Sequence, residues 1–276
     1  TIVDALSRAI ELHKAGDLQA ADQLYKKILK VDPTNPDAFH NLAVIASNHE
    51  KYSMASEYFQ KSINHSPNVE QFWISAVNNL AVSNDISELK TLKLKLYDKN
   101  LDKSLKESVA HRIEVAISEV AARLFDAEIL SLFQNQEYML VIESFNNKSV
   151  DFTPGLKTLN FFGASLIEYA RFSEAVDCFN AALKISDDIP ELHFNLANCY
   201  KDLKKFDLAI LSYSSALALN PNYVDALNNV GVCYCDIGDF ESAIGTFTKA
   251  VSLEPQYSPA LSGLGICFLN LNQYRR

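Results

Sequence analysis

Residues 229–247 read NVGVCYCDIGDFESAIGTF. Taken alone, the run suggests chemistry: Cys233 and Cys235 stand two apart, Asp236 and Asp239 follow, and glycines punctuate it. Shifted back by 34 residues it falls on NLANCYKDLKKFDLAILSY, 195–213. Asn195 then lies on Asn229, Cys199 on Cys233, Tyr200 on Tyr234, Phe206 on Phe240, Ala209 on Ala243 and Tyr213 on Phe247. Shifted forward by the same step, Cys267 falls on Cys233, Gly265 on Gly231 and Tyr274 on Phe240. The thiols at 199, 233 and 267 therefore share one recurring slot, where a cysteine serves as a small buried apolar group. No His or further Cys lies nearby in sequence to complete a ligand set around Cys233 and Cys235. Neither a metal nor a redox site is expected there.

The same period reaches the other end of the chain. Pro33 and Pro67 are 34 apart, as are Pro221 and Pro255, and Ala21/Tyr25 repeats as Ala55/Phe59. Each period reads as two amphipathic helices. The first carries a small residue at its crossing point, namely Ala9, Ala43, Gly163, Ala197, Gly231 and Gly265. The second carries Ala and then an aromatic four later: Ala21/Tyr25, Ala55/Phe59, Ala175/Phe179, Ala209/Tyr213 and Ala243/Phe247. Such i, i+4 pairs lie on one helix face. The small residue allows close approach, and the ring fills the space that the approach leaves. Turns such as Ala15-Gly16-Asp17 and Ile237-Gly238-Asp239 break the helices, and Asp-Pro, Asn-Pro or Glu-Pro near each period's end stops the second one.

This pattern resembles the tetratricopeptide repeat, written W-x₂-L-G-x₂-Y, then A-x₃-F, then P. The run from Leu227 to Tyr234, then Ala243 to Phe247, then Pro255 follows it closely, and Trp73, the only Trp, takes the pattern's first slot. Units beginning at 2, 36, 190 and 224 match well, those at 70, 122 and 156 more weakly, and one at 258 is incomplete. The resemblance implies an all-α fold, an α-solenoid in which stacked helix-turn-helix pairs form a right-handed superhelix.

Composition agrees with a helical, globular chain. Hydrophobic residues make up 48% and charged ones 21% of 276 residues, with only 8 Gly and 8 Pro to build turns. No apolar run approaches the roughly 20 residues of a membrane span, so no membrane association is expected. A formal charge of −9 opposes the phosphates of nucleic acid, so no nucleic-acid partner is expected either. Five cysteines, an odd number, all follow residue 177, which suits a reducing compartment and a cytoplasmic location.

The register breaks once. Starts at 2, 36 and 70 predict the next at 104, yet matches resume at 122, an offset of 18. One extra helix or one lengthened helix would fit. Ser104 with Glu107 has the form of a capping box at its start, and Leu105, Val109, Ile113, Ala116, Ile117, Val120 and Leu124 continue along one face. In 89–99, Leu89 and Lys93 stand where Ala and the aromatic are expected. The divergent stretch 86–121 reads as an irregular joint. The domain expectation is an N-terminal array over 1–99 of about three repeats, the third degenerate. A joint or extra helix follows over 100–121, then a C-terminal array over 122–276 of four repeats and an incomplete fifth. In that last unit Leu264, Phe268, Leu271 and Tyr274 are left with one side open, forfeiting on the order of 1.5–3 kcal/mol each. The favoured expectation is a segment of a longer protein; self-association through the uncapped C-terminal end is the other.

In stacked helix pairs the first helices line the concave face. The residues pointing inward include His40, Asn41, Asn48, Asn78, Asn160, Asn195, Asn198, Asn228 and Asn229, with Phe194 beside them. Asn is a modest helix former, so its recurrence on one face asks for a reason. A carboxamide offers both donor and acceptor and grips a peptide backbone whatever its side chains. Asn41, Asn195 and Asn229 share one slot, which resembles the asparagine ladder of glycosyltransferases that modify Ser and Thr of intracellular proteins. Ser7, Ser75, Ala127, Phe161 and Gly263 interrupt the ladder. Another subclass of these repeats clamps a C-terminal carboxylate with Lys at the fifth slot. Here that slot holds Leu6, His40, Ile74, Asn160, Phe194, Asn228 and Ser262, so no carboxylate clamp is expected. Phe161 and Phe194 are candidate anchors for an apolar side chain.

No catalytic signature emerges. The six histidines form no ligand-spaced pair and are expected at the surface, no phosphate loop or nucleophile elbow occurs, and Asp187-Asp188 at a helix boundary reads as capping. No cofactor or metal is expected, and the chain is not read as an enzyme. The functional expectation is a non-enzymatic interaction module or scaffold that holds an extended peptide or partner helix in the Asn-rich groove. The alternative is a substrate-docking arm of a larger transferase. Residues 9–17, AIELHKAGD, with Tyr25 and Asp32-Pro33 beyond, are similar to bacterial repeat arms preceding glycosyltransferase or sulfotransferase domains.

Overall fold

The structure is a computed structural model that describes residues 1–148 and 154–274, with side chains to Leu271. The expected match of Tyr274 to Phe240 therefore lies outside the described side chains. Every regular element among the described residues is a helix: α1 (Ile2–Lys14), α2 (Leu18–Val31), α3 (Pro36–Asn48), α4 (Tyr52–His65), α5 (Glu70–Val82), α6 (Ile86–Asp98), α7 (Lys103–Gln134), α8 (Tyr138–Asn146), α9 (Leu156–Glu168), α10 (Phe172–Leu183), α11 (Pro190–Asp202), α12 (Phe206–Leu219), α13 (Val224–Asp236), α14 (Phe240–Leu253) and α15 (Ser258–Tyr274). The fold is an all-α helical-repeat solenoid.

The repeat is visible in the backbone itself. Each turn inside a helix pair is made by one residue in the left-handed region: Gly16, Glu50, Asn84, Gln136, Ala170, Lys204 and Gly238. They stand 34 apart, except that the step from Asn84 to Gln136 is longer by the 18 residues that part 104 from 122. A left-handed residue lets the following amides return to the last carbonyls of the first helix, as Asp239 N does to Tyr234 O (2.9 Å).

The small slot and the ring slot meet as expected. Ala9, Ala43 and Ala197 are buried, and so are Tyr25, Phe59, Phe179, Tyr213 and Phe247. A Cβ on Gly163 would lie 2.7 Å from Phe179 Cζ, and one on Gly231 would lie 2.6 Å from Phe247 Cε1. Gly265, assigned to the same slot by register, has open space around it, and Gly263 meets the Phe247 ring instead, at 2.5 Å.

The chain divides into two compact units, Thr1–Leu124 and Phe125–Arg276, with the boundary inside α7. In the first unit, α1 to α6 form three helix pairs. Val109, Ile113, Ala116 and Val120 of α7 close the core against Leu89, Leu92 and Leu96 of α6. Lys93, standing in the ring slot, points outward and pairs with Glu114 of α7. Helix α7 begins at Lys103, where the 34-residue register calls for a new helix. The amide of Lys106 bonds to the Asp102 carbonyl, so Asp102 holds the cap position and Ser104 lies within the first turn rather than capping it. Leu124, expected on the buried face, is exposed, because Phe125 takes over as the inward residue. In the second unit Phe125 and Ile129 pack on Val141 of α8, and α9 to α14 form three further pairs followed by α15.

Replacing a residue in the shared small slot has opposite consequences at its two ends. Ala is about 1 kcal/mol better than Gly in a helix interior, while overpacking a filled core costs about 1–3 kcal/mol. Gly265→Ala raises the thermal midpoint of the second unit and Gly231→Ala lowers it, as measured by calorimetry. At the turns, Ala170→Gly relieves a left-handed alanine (φ 54°) and stabilises by about 1 kcal/mol, read from the denaturant midpoint.

Candidate functional site

The inward faces of α9, α11 and α13 bring together the carboxamides of Asn160, Asn195, Asn198, Asn228 and Asn229. Asn195 Nδ2 donates to Asn160 Oδ1 (3.4 Å), and Asn229 Nδ2 donates to Asn198 Oδ1 (3.0 Å). Asn228 Nδ2 donates to Asn229 Oδ1 at 3.3 Å. The Tyr213 hydroxyl also donates to Asn198 Oδ1, and burial pushes its pKa above the usual phenol value. The bonds fall into two groups, Asn195 to Asn160 and Asn228 to Asn229 to Asn198. The second starts at Asn228, only 8% exposed, whose Oδ1 is buried without a donor. Phe194 stacks on Tyr223 (4.8 Å between centroids) and leans on Tyr213 (5.7 Å), so it is half core and half surface. Phe161 lies tilted against Phe133 at 4.8 Å.

The remaining expected residues lie in the first unit and are less connected. Asn41 Nδ2 bonds back to the Asp37 carbonyl of its own helix (2.8 Å), Asn48 is exposed, and Asn78 Oδ1 accepts from Arg112 Nη2 (3.1 Å). Arg112 stands 34 residues after Asn78, so periodicity alone held a signal for it. His40, expected at the surface, is half-buried. It stacks on Phe72 (4.8 Å), meets Phe59 edge-on (5.7 Å), and its Nε2 lies 3.0 Å from Ser75 Oγ. Burial lowers its pKa from 6.5. Asn79, unnoticed beside Asn78, is the buried one; its Nδ2 donates to Tyr52 O (3.2 Å) and Ser56 Oγ (2.9 Å), leaving Oδ1 unpaired.

Cys199, Cys233 and Cys267 are fully buried, as their slot requires. Burial raises the thiol of Cys199 to about 12 and that of Cys233 to about 11. Cys235 faces Cys267 across helices, a contact hidden by the slot rule. Among the described residues no group of three or more His, Cys, Asp or Glu is placed to hold a metal ion, and no helix is long and apolar enough to cross a membrane. Asp187 and Asp188 do not cap α11: its N-cap is Ile189, Asp188 accepts from Ser186, and the Asp187 carbonyl meets His193 Nε2 at 2.9 Å.

Two models of the family described as Tetratricopeptide repeat match the chain, one at residues 190–223 and one at 24–55 and 212–245. Those residues form tetratricopeptide repeats. No curated protein sequence matches the chain. Among solved structures, the chain is similar to the TPR2AB domain of yeast Sti1 in a pHSP90 complex, at 16% identity and a TM-score of 0.47, covering 96% of this chain and 95% of that one. It is similar to the first TPR of Spaghetti (RPAP3) bound to the HSP90 peptide SRMEEVD, at 26% identity and 0.42, covering 42% and 93%. YrrB, a TPR protein with an unusual peptide-binding site, is similar at 15% identity and 0.39, covering 86% and 96%.

The half-buried His40 gives the first unit a pH dependence with a definite sign. Its folded pKa lies below 6.5, so the unfolded chain binds more protons in the window just below that value, and stability falls as pH falls through it. Stability of wild type and His40→Gln, measured by denaturant titration from neutral to mildly acidic pH, diverges accordingly. The wild type loses more on acidification.

Proposed function

We propose that the chain is a non-catalytic interaction module and that its second unit holds an extended peptide along the inward faces of α9, α11 and α13. The observation that carries this reading is the gathering of carboxamides on these faces, bonded in two groups, Asn195 to Asn160 and Asn228 to Asn229 to Asn198. Each Asn has two N–H donors and an oxygen with two lone pairs, and the bonds within the network use only part of that capacity. What remains matches a peptide main chain, which offers a donor and an acceptor at every residue. Phe194, backed by Tyr223, presents a ring face to a ligand side chain.

Charge narrows the class of peptide. Exposed Glu191, Asp202, Asp225 and Asp236 belong to α11 and α13, against Lys201 on the same two helices. Glu191 and Asp225 both raise the pKa of Tyr223, after burial as the larger cause, so their fields overlap beside Phe194. An acidic peptide is repelled there, and a neutral or basic one is favoured.

Synthetic peptide arrays graded from acidic to basic test the reading directly. Neutral and basic peptides are retained above acidic ones, and Asn195→Ala with Asn229→Ala weakens retention about tenfold or more, the equivalent of two lost hydrogen bonds. Unchanged retention in the double variant removes the groove as the site, and preferential retention of acidic peptides removes the charge argument.

A further inference from the structure

We propose that Cys235 and Cys267 form a disulfide-competent pair that ties the last helix, α15, to α13. Their Sγ atoms are 3.1 Å apart, and one thiol donates to the other. The two residues are 32 apart in sequence and come from different repeats, in different slots. The other three cysteines sit elsewhere: Cys178 donates to the Leu159 carbonyl (3.0 Å), and Cys199 and Cys233 are fully buried.

The pair is asymmetric in a useful way. Cys235 is half-buried, in the last turn of α13, whereas Cys267 is fully buried within α15. A low-molecular-weight disulfide therefore meets Cys235 first. The Cys235 thiolate attacks one sulfur of that oxidant, forms a mixed disulfide and releases one small thiol. The Cys267 thiolate then attacks Sγ of Cys235, forms the internal bond and expels the second small thiol. Two protein thiols lose their protons to solvent and are oxidised, and one small disulfide is reduced to two thiols. Burial, then the Cys267 thiol, raises the pKa of Cys235 to about 12. Its thiolate is scarce at neutral pH, so the rate climbs about tenfold per pH unit through the mildly alkaline range.

The bond has a structural target. Helix α15 is covered on one side through Ala260, Gly263 and Cys267, while Leu261, Ile266, Phe268 and Leu269 are exposed. Closing the loop that contains α14 restricts the opening of α15.

The experiment incubates the whole chain with oxidised glutathione at several pH values, followed by intact-mass measurement and peptide mapping without reduction. The expected product has lost two hydrogens, carries a single Cys235–Cys267 cross-link, and forms faster as pH rises. Hydrogen exchange in α15 then slows at least about tenfold, and reductant restores the original rate. Cys235→Ser, at the half-buried position, abolishes the mass loss even if Cys267→Ser fails to fold. A bridge to Cys178, Cys199 or Cys233, a mixed disulfide that never resolves, or an unchanged mass at alkaline pH would overturn the proposal.

Discussion

A ring seated where a helix has no side chain to spare is the contact on which the rest of this chain depends. Phe247 lies between Gly231 of its own pair and Gly263 of the next helix, and both approaches are too close for a Cβ. The ring therefore sets the distance within a pair and the distance to the following helix at once. Phe179 against Gly163 repeats the contact within a pair, and Tyr25 and Phe59 share buried clusters with Ala9 and Ala43. Because Phe247 governs two interfaces, the period cannot drift by a residue there without losing both. The groove inherits its order from this: successive first helices present equivalent positions at a constant spacing, and the asparagines meet side by side.

That constraint is also why so much of the fold could be read from sequence. Small residues, rings and helix-stopping prolines recur in the one-letter code, and the left-handed turn residues fall at the same period even where Glu, Gln, Ala or Lys replaces Gly. The offset after the third pair was legible as a length but not as a shape. It proves to be one continuous helix, α7, of 32 residues. No Gly or Pro interrupts Lys103–Gln134, and inward packing passes from Val120 to Phe125 without a turn. The degenerate slots of α6 became intelligible only with the partner visible, since Lys93 answers Glu114 rather than filling a ring pocket.

The candidate site was half legible. Which helix face holds asparagine follows from the period, but the bonds among Asn160, Asn195, Asn198, Asn228 and Asn229 depend on side-chain torsions that no spacing rule encodes. The partial burial of His40 comes from Phe59 and Phe72 on neighbouring helices, which its own helix does not encode. Asn78 drew notice that its neighbour Asn79 had more reason to receive. The two thiols at 235 and 267 escaped for a related reason: comparing equivalent slots finds what repeats, and this pair joins positions that are not equivalent.

The central claim is that ring and small residue are energetically one unit, and a double-mutant cycle on Gly231 and Phe247 tests it most directly. Unfolding free energies of Gly231→Ala, Phe247→Leu and the double variant give the coupling. The account predicts that the smaller side chain makes room for the added methyl, so that the double variant is more stable than the sum of the singles requires by at least about 1 kcal/mol. Additive losses would contradict it and leave the recurrence of these residues without a packing cause.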